Sequence, residues 1–189
     1  MQSSILKIDN VAGAVVITDG RNRTSKAVTP DVSASNGVVH IVDKVILLAD
    51  KNIVQTAHSL PQFSILVKAV VAANLQGTFF GTGPFTVFAP TNTAFANLLT
   101  ELGITKDAVL ANTPLLTKVL SYHVVSGRFL KAEVPLNTAI RTVQGDTLTV
   151  VSNLAITNQR ARTSSITATD VLTSNGVIHV IDSVILPKP

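Results

Sequence analysis

The sequence contains no cysteine among its 189 residues, which excludes disulfide bonds and thiol chemistry. Without thiolates, and with only four scattered histidines, the chain is not expected to hold a metal ion, and no cofactor is predicted. Aromatic residues amount to only 4%, so a platform on which nucleic-acid bases could stack is not expected. The 15 Lys and Arg residues include no run of three, and nucleic acid is therefore not an expected partner.

Long hydrophobic runs are also absent, although 46% of the residues are hydrophobic and the mean hydropathy is +0.42. The most apolar stretch, Phe63–Leu75, is too short to cross a bilayer and carries Lys68 in its middle. Met1-Gln2-Ser3-Ser4 lacks the charged start and apolar continuation of a signal peptide, which by itself says nothing about localisation. Charged residues make up 14%, and the whole composition is typical of a folded chain.

The chain instead contains an internal repeat, the feature that should be interpreted first. The segment 36–47, Asn-Gly-Val-Val-His-Ile-Val-Asp-Lys-Val-Ile-Leu, recurs 139 residues later with Asn175 in the place of Asn36. Without a gap, residues 14–48 and 153–187 are identical at 17 of 35 positions. Since a spacing of 139 residues does not fit twice into 189, the sequence predicts one complete unit and the tail of another.

The two parts have different predicted secondary structure. Residues 50–121 carry helical spacing of apolar residues, with Asp50 as the expected N-cap of the first helix. From Tyr122 onward, short β-branched runs alternate with turn signals such as Asn175-Gly176. Residues 1–49 show only the strand-rich pattern. The sequence therefore predicts an α+β fold with a strand-rich fragment at 1–49 and a complete domain at 50–189.

Three segments of the complete domain resemble the signatures of fasciclin-type adhesion domains. Residues 85–95, Phe-Thr-Val-Phe-Ala-Pro-Thr-Asn-Thr-Ala-Phe, are similar to the first signature, residues 120–127 to the Tyr-His segment, and residues 175–186 to the closing signature. The fragment 1–49 carries the closing signature alone. The resemblance assigns structural roles to Thr86, Pro90, Thr91, Asn92, Phe95, Asn175, Gly176, His179 and Asp182, and to Asn36, Gly37, His40 and Asp43 of the repeat.

The resemblance implies a β-wedge of antiparallel strands flanked by several short helices. It implies an extracellular or cell-surface module that adheres to protein, polysaccharide or membrane partners without catalysis. Integrin recognition is not implied, because Lys106-Asp107 is not followed by the isoleucine of the animal motif. A carrier of an apolar lipid or pigment, bound between helices and wedge, is the alternative function. An enzyme is not expected, since no Gly-x-Ser-x-Gly elbow or paired acid and base can be assembled.

The resemblance also marks Tyr122 and His123 for adhesion, although both residue types are equally suited to buried, hydrogen-bonded positions. On a strand, His179 and Asp182 lie on opposite faces and should not form a dyad. Asp182 is expected to accept hydrogen bonds from the backbone around Thr91-Asn92.

Two arginine pairs recur with the repeat, and either a solvated turn or an anion contact would explain them. Arg21 and Arg23 correspond to Arg160 and Arg162 within Arg-x-Arg-Thr-Ser. Side chains at alternate strand positions project together, and guanidinium groups suit the carboxylates or sulfates of a polysaccharide. Both interpretations stay open on the sequence alone.

The fragment 1–49 lacks the helices that would cover its apolar strands, and so small a piece rarely buries enough surface alone. It could pack on the complete domain, fold as an ordered strand module, or replace residues 153–187 of another molecule. Because unpaired strand edges favour association, we expect residues 1–48 to drive self-association.

Overall fold

The computed structural model describes residues 5–79, 81–160 and 162–188. The described chain divides into two compact units. One contains the residues up to Lys51 together with Leu172–Ser174, and the other contains Asn52–Val171 and the residues from Asn175 onward. With helices in the second unit and sheets in both, the α+β fold class is confirmed.

The first unit is a four-stranded antiparallel sheet with the strand order β1-β2-β3-β4. Its strands are β1 (Lys7–Val11), β2 (Ala14–Thr18), β3 (Thr24–Ala34) and β4 (Gly37–Val42). The predicted turn at Asn36-Gly37 is confirmed, since Ala34 and Gly37 pair across it. Among the described strands β4 pairs with β3 alone, so its second edge is open.

Among its described residues the second unit has six helices, three before its first strand and three after it, and most of them start at a polar residue that caps them. They are α1 (Ile53–His58), α2 (Ser64–Ala72) after a 3₁₀ turn at Pro61–Phe63, α3 (Gln76–Phe79), α4 (Asn92–Leu102), α5 (Lys106–Ala111) and α6 (Thr113–Tyr122). The N-cap of α1 is Asn52, which forms a reciprocal capping box with Gln55. The prediction of Asp50 as this cap is therefore wrong by two residues.

A seven-stranded sheet completes the second unit, in the order β6-β5-β11-β10-β9-β8-β7. Its strands are β5 (Phe85–Pro90), β6 (Val124–Ser126), β7 (Ala139–Arg141), β8 (Thr147–Val150), β9 (Ala155–Thr157), β10 (Thr163–Thr173) and β11 (Gly176–Ile181). The central pair of β5 and β11 is parallel, in contrast to the antiparallel strands expected from the resemblance. The two strands lie far apart in sequence, so no hairpin fixes their direction.

Two hydrophobic clusters hold the second unit together. The larger one packs the helices against the sheet and includes Phe63, Leu66, Phe95, Leu120 and Ile178. The other includes Phe88, Tyr122, Leu148, Ile156 and Ile181. Along β11, Ile178 belongs to the first cluster and Ile181 to the second, so this strand is buried from both sides and carries the core.

Of the helices in the described part of the chain, none has both the length and the apolar character that a membrane span needs.

Candidate functional site

The Tyr-His segment lies where α6 gives way to β6, inside the second unit. The Tyr122 side chain is fully buried. Its hydroxyl donates a hydrogen bond to the carbonyl oxygen of Thr147 at 2.8 Å and accepts one from the amide of Gln159 at 3.4 Å. Burial raises the pKa of the Tyr122 phenol. The ring thus fills core, and its hydroxyl ties the end of α6 to the start of β8.

His123 is also buried, and both of its ring nitrogens are engaged by the backbone. Nδ1 lies 2.8 Å from the carbonyl oxygen of Val119, and Nε2 lies 3.2 Å from the amide nitrogen of Ile185. A carbonyl only accepts and an amide only donates, so Nδ1 carries the proton and the ring is neutral. Burial lowers the pKa of His123 to about 4, against the smaller opposing effect of the hydrogen bond to Val119.

The geometry of the Tyr-His pair therefore fits the structural interpretation. Neither Tyr122 nor His123 presents a polar atom to solvent, because each is occupied by a backbone partner. A direct contact between this pair and an adhesion partner stays a prediction, and it would require the hydrogen bonds to Thr147, Val119 and Ile185 to open.

The closing signature places His179 and Asp182 in separate hydrogen-bond networks. His179 is fully buried, with Nε2 donating to the carbonyl of Phe129 at 2.9 Å and Nδ1 accepting from the amide of Asp170 at 3.3 Å. Burial lowers the pKa of His179, an effect opposed by the hydrogen bond to Phe129 and the charge of Asp170. The ring is thus a structural bridge between β10, β11 and the segment after β6.

Asp182 follows β11 and faces the start of β10. Its Oδ1 accepts from the amide of Ser165 at 2.8 Å and from the hydroxyl of Ser164 at 3.1 Å. Burial alone would raise the pKa of Asp182, but these hydrogen bonds hold it below its usual value. The expected contact with the backbone around Thr91-Asn92 is wrong. The amide of Thr91 instead donates to the carbonyl of Ile181, because β5 and β11 end side by side.

Residues of the first signature form hydrogen bonds that join neighbouring segments. Thr86 is buried, donating its hydroxyl to the carbonyl of Gly127 and accepting from the amide of Phe129. After Pro90 ends β5, Thr91 caps α4, and Asn92 accepts from the amide of Ile65. The signature residue Phe95 is buried in the helix-side core.

The closing signature adds a brace of its own at Asn175-Gly176. The Asn175 side chain accepts from the amide of Ile53 at 2.9 Å and donates to the carbonyl of Gly81 at 3.0 Å, which links α1 and the segment before β5 to β11. A Cβ at Gly176 would lie only 2.0 Å from the carbonyl oxygen of Phe85, so this glycine permits the close approach of β5.

The fragment repeats the closing-signature bonds with its own residues. Asp43 accepts from the hydroxyl of Ser25 and the amide of Lys26, both at 2.8 Å, as Asp182 does at the equivalent positions. The Nδ1 of His40 accepts from the amide of Asp31, as that of His179 does from Asp170. His40, however, is exposed, whereas His179 is not.

The recurring arginines sit on turns built by a preceding polar residue. Asp19 accepts from the amides of Arg21 and Arg23, and Asn158 accepts from those of Arg160 and Arg162. In both copies the turn residue stands two positions before Arg-x-Arg, and an Asp or Asn at such a position is the signal of an Asx turn.

Three of the four guanidinium groups already face a carboxylate. Arg21 pairs with Asp50, Arg23 with Asp19, and Arg162 with Glu101. The hydrogen bond and charge of Arg162 lower the pKa of Glu101. These ion pairs fit the interpretation as turns.

Arg160 differs from the other three arginines. Its Nε donates to the carbonyl of Pro187 at 2.8 Å, and among the described residues no carboxylate pairs with it. The Nζ of Lys118 donates to the next carbonyl, that of Lys188, also at 2.8 Å. We call Lys118, Arg160 and Lys188 the basic cluster; Asp146 is the acidic neighbour, accepting from the amide of Lys188. Lys118 was missed in the sequence because helix α6 brings it here from a distant position.

In the part of the chain that the structure describes, no three His, Asp or Glu side chains come together in a way that could hold a metal ion. The buried Tyr122, His123 and His179 are held by backbone partners. Buried Asp19 is held by Arg23 and by backbone amides, which leaves the basic cluster as the candidate binding surface.

Comparisons with known proteins find relatives that match most of the chain. The fasciclin domain profile matches residues 61–187. The uncharacterised protein sll1735 of Synechocystis is 40% identical over 135 residues, which cover 71% of this chain and 97% of that protein. The pig transforming growth factor-beta-induced protein ig-h3 is 30% identical over 188 residues, covering 98% of this chain and 26% of that protein.

A solved structure shares the fold. It is described as a FAS1 domain pair from the insect cell adhesion molecule Fasciclin I, with a TM-score of 0.63 and 18% identity, covering 96% of this chain and 66% of that one. Together with the matching profile and the signature geometry, these similarities show that the chain belongs to the fasciclin domain family.

Proposed function

We propose that this chain is an extracellular adhesion module that binds acidic polysaccharide through its basic cluster and carries out no catalysis. The observation that carries the proposal is Arg160, an exposed guanidinium beside which Lys118 reaches the neighbouring carbonyl. The carboxylates and sulfates of polysaccharides match the planar donor fork of arginine. The chain's net charge of +4 would favour the approach of such a polymer.

The buried polar groups support a role without catalysis. Neutral His123 donates to one backbone group and accepts from another, and His179 does the same with the opposite tautomer. A general base needs a nitrogen that can reach substrate. In both rings, the two nitrogens are already hydrogen-bonded to backbone groups inside the core.

Binding of a sulfated polysaccharide such as heparin, measured in the presence of increasing salt, tests this proposal. Replacing Arg160 by Gln should weaken binding roughly fivefold, about 1 kcal/mol for one exposed charge contact. The matched control is Arg162→Gln, because that guanidinium is already paired with Glu101. A second control is Lys106→Gln, which removes one exposed charge from α5.

The proposal fails if Arg160→Gln binds like the unmodified chain, or if all three variants lose affinity equally. The latter result would indicate attraction by net charge alone. A neutral polysaccharide that binds as well as the sulfated one would also contradict it, because the predicted contact needs an anionic group. Binding that increasing salt does not weaken would contradict it too, since salt should screen the contact.

A second candidate function, the carriage of an apolar lipid or pigment, rests on a cavity in the second unit. The cavity is lined by residues of α1, α2, α6, β5 and β6 and has a volume of about 30 Å³. Its wall is apolar, with Val54, Leu66, Val70 and Val87 among its residues. Pockets for such ligands measure roughly 300–1,000 Å³, so α1 and α2 would have to move apart. Native mass spectrometry of the protein from its source tests this candidate, which fails if no ligand is retained.

A further inference from the structure

The open edge of β4 corresponds to an edge of β11 that is paired with β5 in the same molecule. β3 and β10 correspond residue for residue at the repeat spacing, as do β4 and β11. In the second unit β11 lies between β10 and β5, whereas β4 has only β3 beside it. The position that β5 fills next to β11 is therefore vacant next to β4 among the described residues.

The side chains of β4 are those of a buried strand, yet they are exposed. Val39 is 52% exposed, whereas Ile178 at the equivalent position is fully buried. Just beyond the strands, Val45 is 75% exposed and the equivalent Val184 only 2%. An apolar sheet surface with an open edge is the usual site at which a further segment adds.

Gly37 shows which kind of segment fits. Its counterpart Gly176 lacks room for a Cβ because the backbone of Phe85 runs beside it, whereas a Cβ at Gly37 would have no atom within 4 Å. The space that the backbone of Phe85 occupies beside Gly176 is thus free of described atoms beside Gly37. A parallel strand placed like β5 would fit there.

His40 has the same incomplete environment. His179 uses Nδ1 to accept from Asp170 and Nε2 to donate to Phe129, a residue that follows β6. His40 repeats the first bond with Asp31, but its Nε2 has no described counterpart to the Phe129 carbonyl. In the second unit, the Phe129 carbonyl and β5 both belong to the segment that precedes β7.

We propose that the open edge of β4 receives the helix-rich half of another fasciclin domain, whose strand equivalent to β5 pairs in parallel with β4. We define the helix-rich half by residues 52–143, which carry the six helices, β5, β6 and the Phe129 carbonyl. It is the segment that covers the equivalent strand within this chain.

A second copy of this chain is the less suitable source. Each copy has one helix-rich half but two strand-rich sheets, the one in residues 7–42 and the one that includes β8–β11. If two copies swapped their helix-rich halves, as many sheets would be left uncovered as before. The association would in addition cost entropy. Self-association of residues 1–48 stays a prediction, and it is an outcome that the test below detects.

The test joins an additional copy of residues 52–143 directly ahead of residue 5 of the full chain, which restores the spacing found in the complete domain. Hydrogen exchange of the amides in Val38–Val42 is then compared with that in the unfused chain. Protection should rise about 100-fold, because the open edge becomes paired and covered. Sedimentation should show the fusion as a monomer, and it reports whether the unfused chain self-associates.

Gly37→Val distinguishes this pairing from general stabilisation. In the unfused chain it should leave exchange unchanged, since a side chain there meets nothing. In the fusion it should reduce the gained protection at least tenfold, because it occupies the space of the incoming backbone. Ala34→Thr, which gives the neighbouring β3 residue the identity of its counterpart Thr173, should preserve the gain.

Three results would overturn the proposal. They are an unchanged exchange of the β4 amides in the fusion, an equal effect of Gly37→Val in both chains, and dimerisation of the unfused chain that already protects β4. If the Gly37→Val fusion fails to fold, the Ala34→Thr and unmodified fusions still decide the outcome through their β4 protection.

Discussion

Acidification should destabilise this protein through His123 before it affects the carboxylates. The ring is neutral and buried in the folded chain, with a pKa lowered to about 4 by burial. In the unfolded chain an ordinary histidine titrates near pH 6.5. Between these values the unfolded state binds the proton more tightly, so stability is complete above pH 6.5 and declines as the pH falls toward 4.

The size of this decline follows from the separation of the two values. A difference of about 2.5 pH units corresponds to roughly 3 kcal/mol. His179 adds to it in the same direction, since its pKa is also lowered by burial. The carboxylates contribute in a more acidic range: the pKa of Asp19 is lowered to about 2, where burial is outweighed by hydrogen bonds from Arg23 and from backbone amides. Its contribution is lost only below about pH 3.8.

Urea unfolding followed by far-ultraviolet circular dichroism at pH 7.5, 6.5, 5.5 and 4.5 measures this dependence. His123→Gln, which carries no titrating ring, should be less stable at pH 7.5 and should lose less stability on acidification. His58→Gln is the matched control, because it replaces an exposed histidine by the same residue, glutamine. A flat profile from pH 6.5 to 4.5, or equal slopes for the unmodified chain and His123→Gln, would refute the reasoning.

Two further substitutions test the closing signature and the Tyr-His segment by denaturant unfolding. Gly176→Ala should destabilise the second unit by roughly 3 kcal/mol, because its Cβ would lie 2.0 Å from the Phe85 carbonyl oxygen. Gly37→Ala should change stability by less than about 0.5 kcal/mol, and equal losses in the two variants would contradict the open edge. Tyr122→Phe should cost about 1 kcal/mol by removing the hydrogen bond to Thr147 while keeping the ring in the core; a loss of adhesion without any loss of stability would instead favour direct partner contact.

The sequence predicted features that depend on local chemistry. The bounds of helix α5, for example, follow from the residues beside it, since Thr105 caps its start and Asn112 ends it. The N-cap of α1 was misplaced because Asp50 and Asn52 both suit that role. The Gln55 side chain, which completes a capping box only with Asn52, is the signal that distinguishes them.

Features that depend on distant pairing were not predictable from local patterns. The environment of Asp182 follows from the pairing of β10 with β11, and the parallel direction of β5 follows from its pairing with β11, a strand far from it in the sequence. The basic cluster similarly joins residues of α6, a turn and the segment after β11. Single-residue chemistry identified Arg160 as a candidate, but only the fold shows that it differs from Arg162.

Hydrogen exchange in the unmodified chain tests the open edge most directly, because it compares the two copies of the closing sequence. One copy, β11, lies between two strands, and the other, β4, has an open edge. The amides of β11, paired on both sides, should exchange at least about 100-fold more slowly than those of β4. Because the two strands have nearly the same sequence, intrinsic exchange rates differ little. Protection of β4 within tenfold of that of β11 would contradict the open edge and with it the proposed partner.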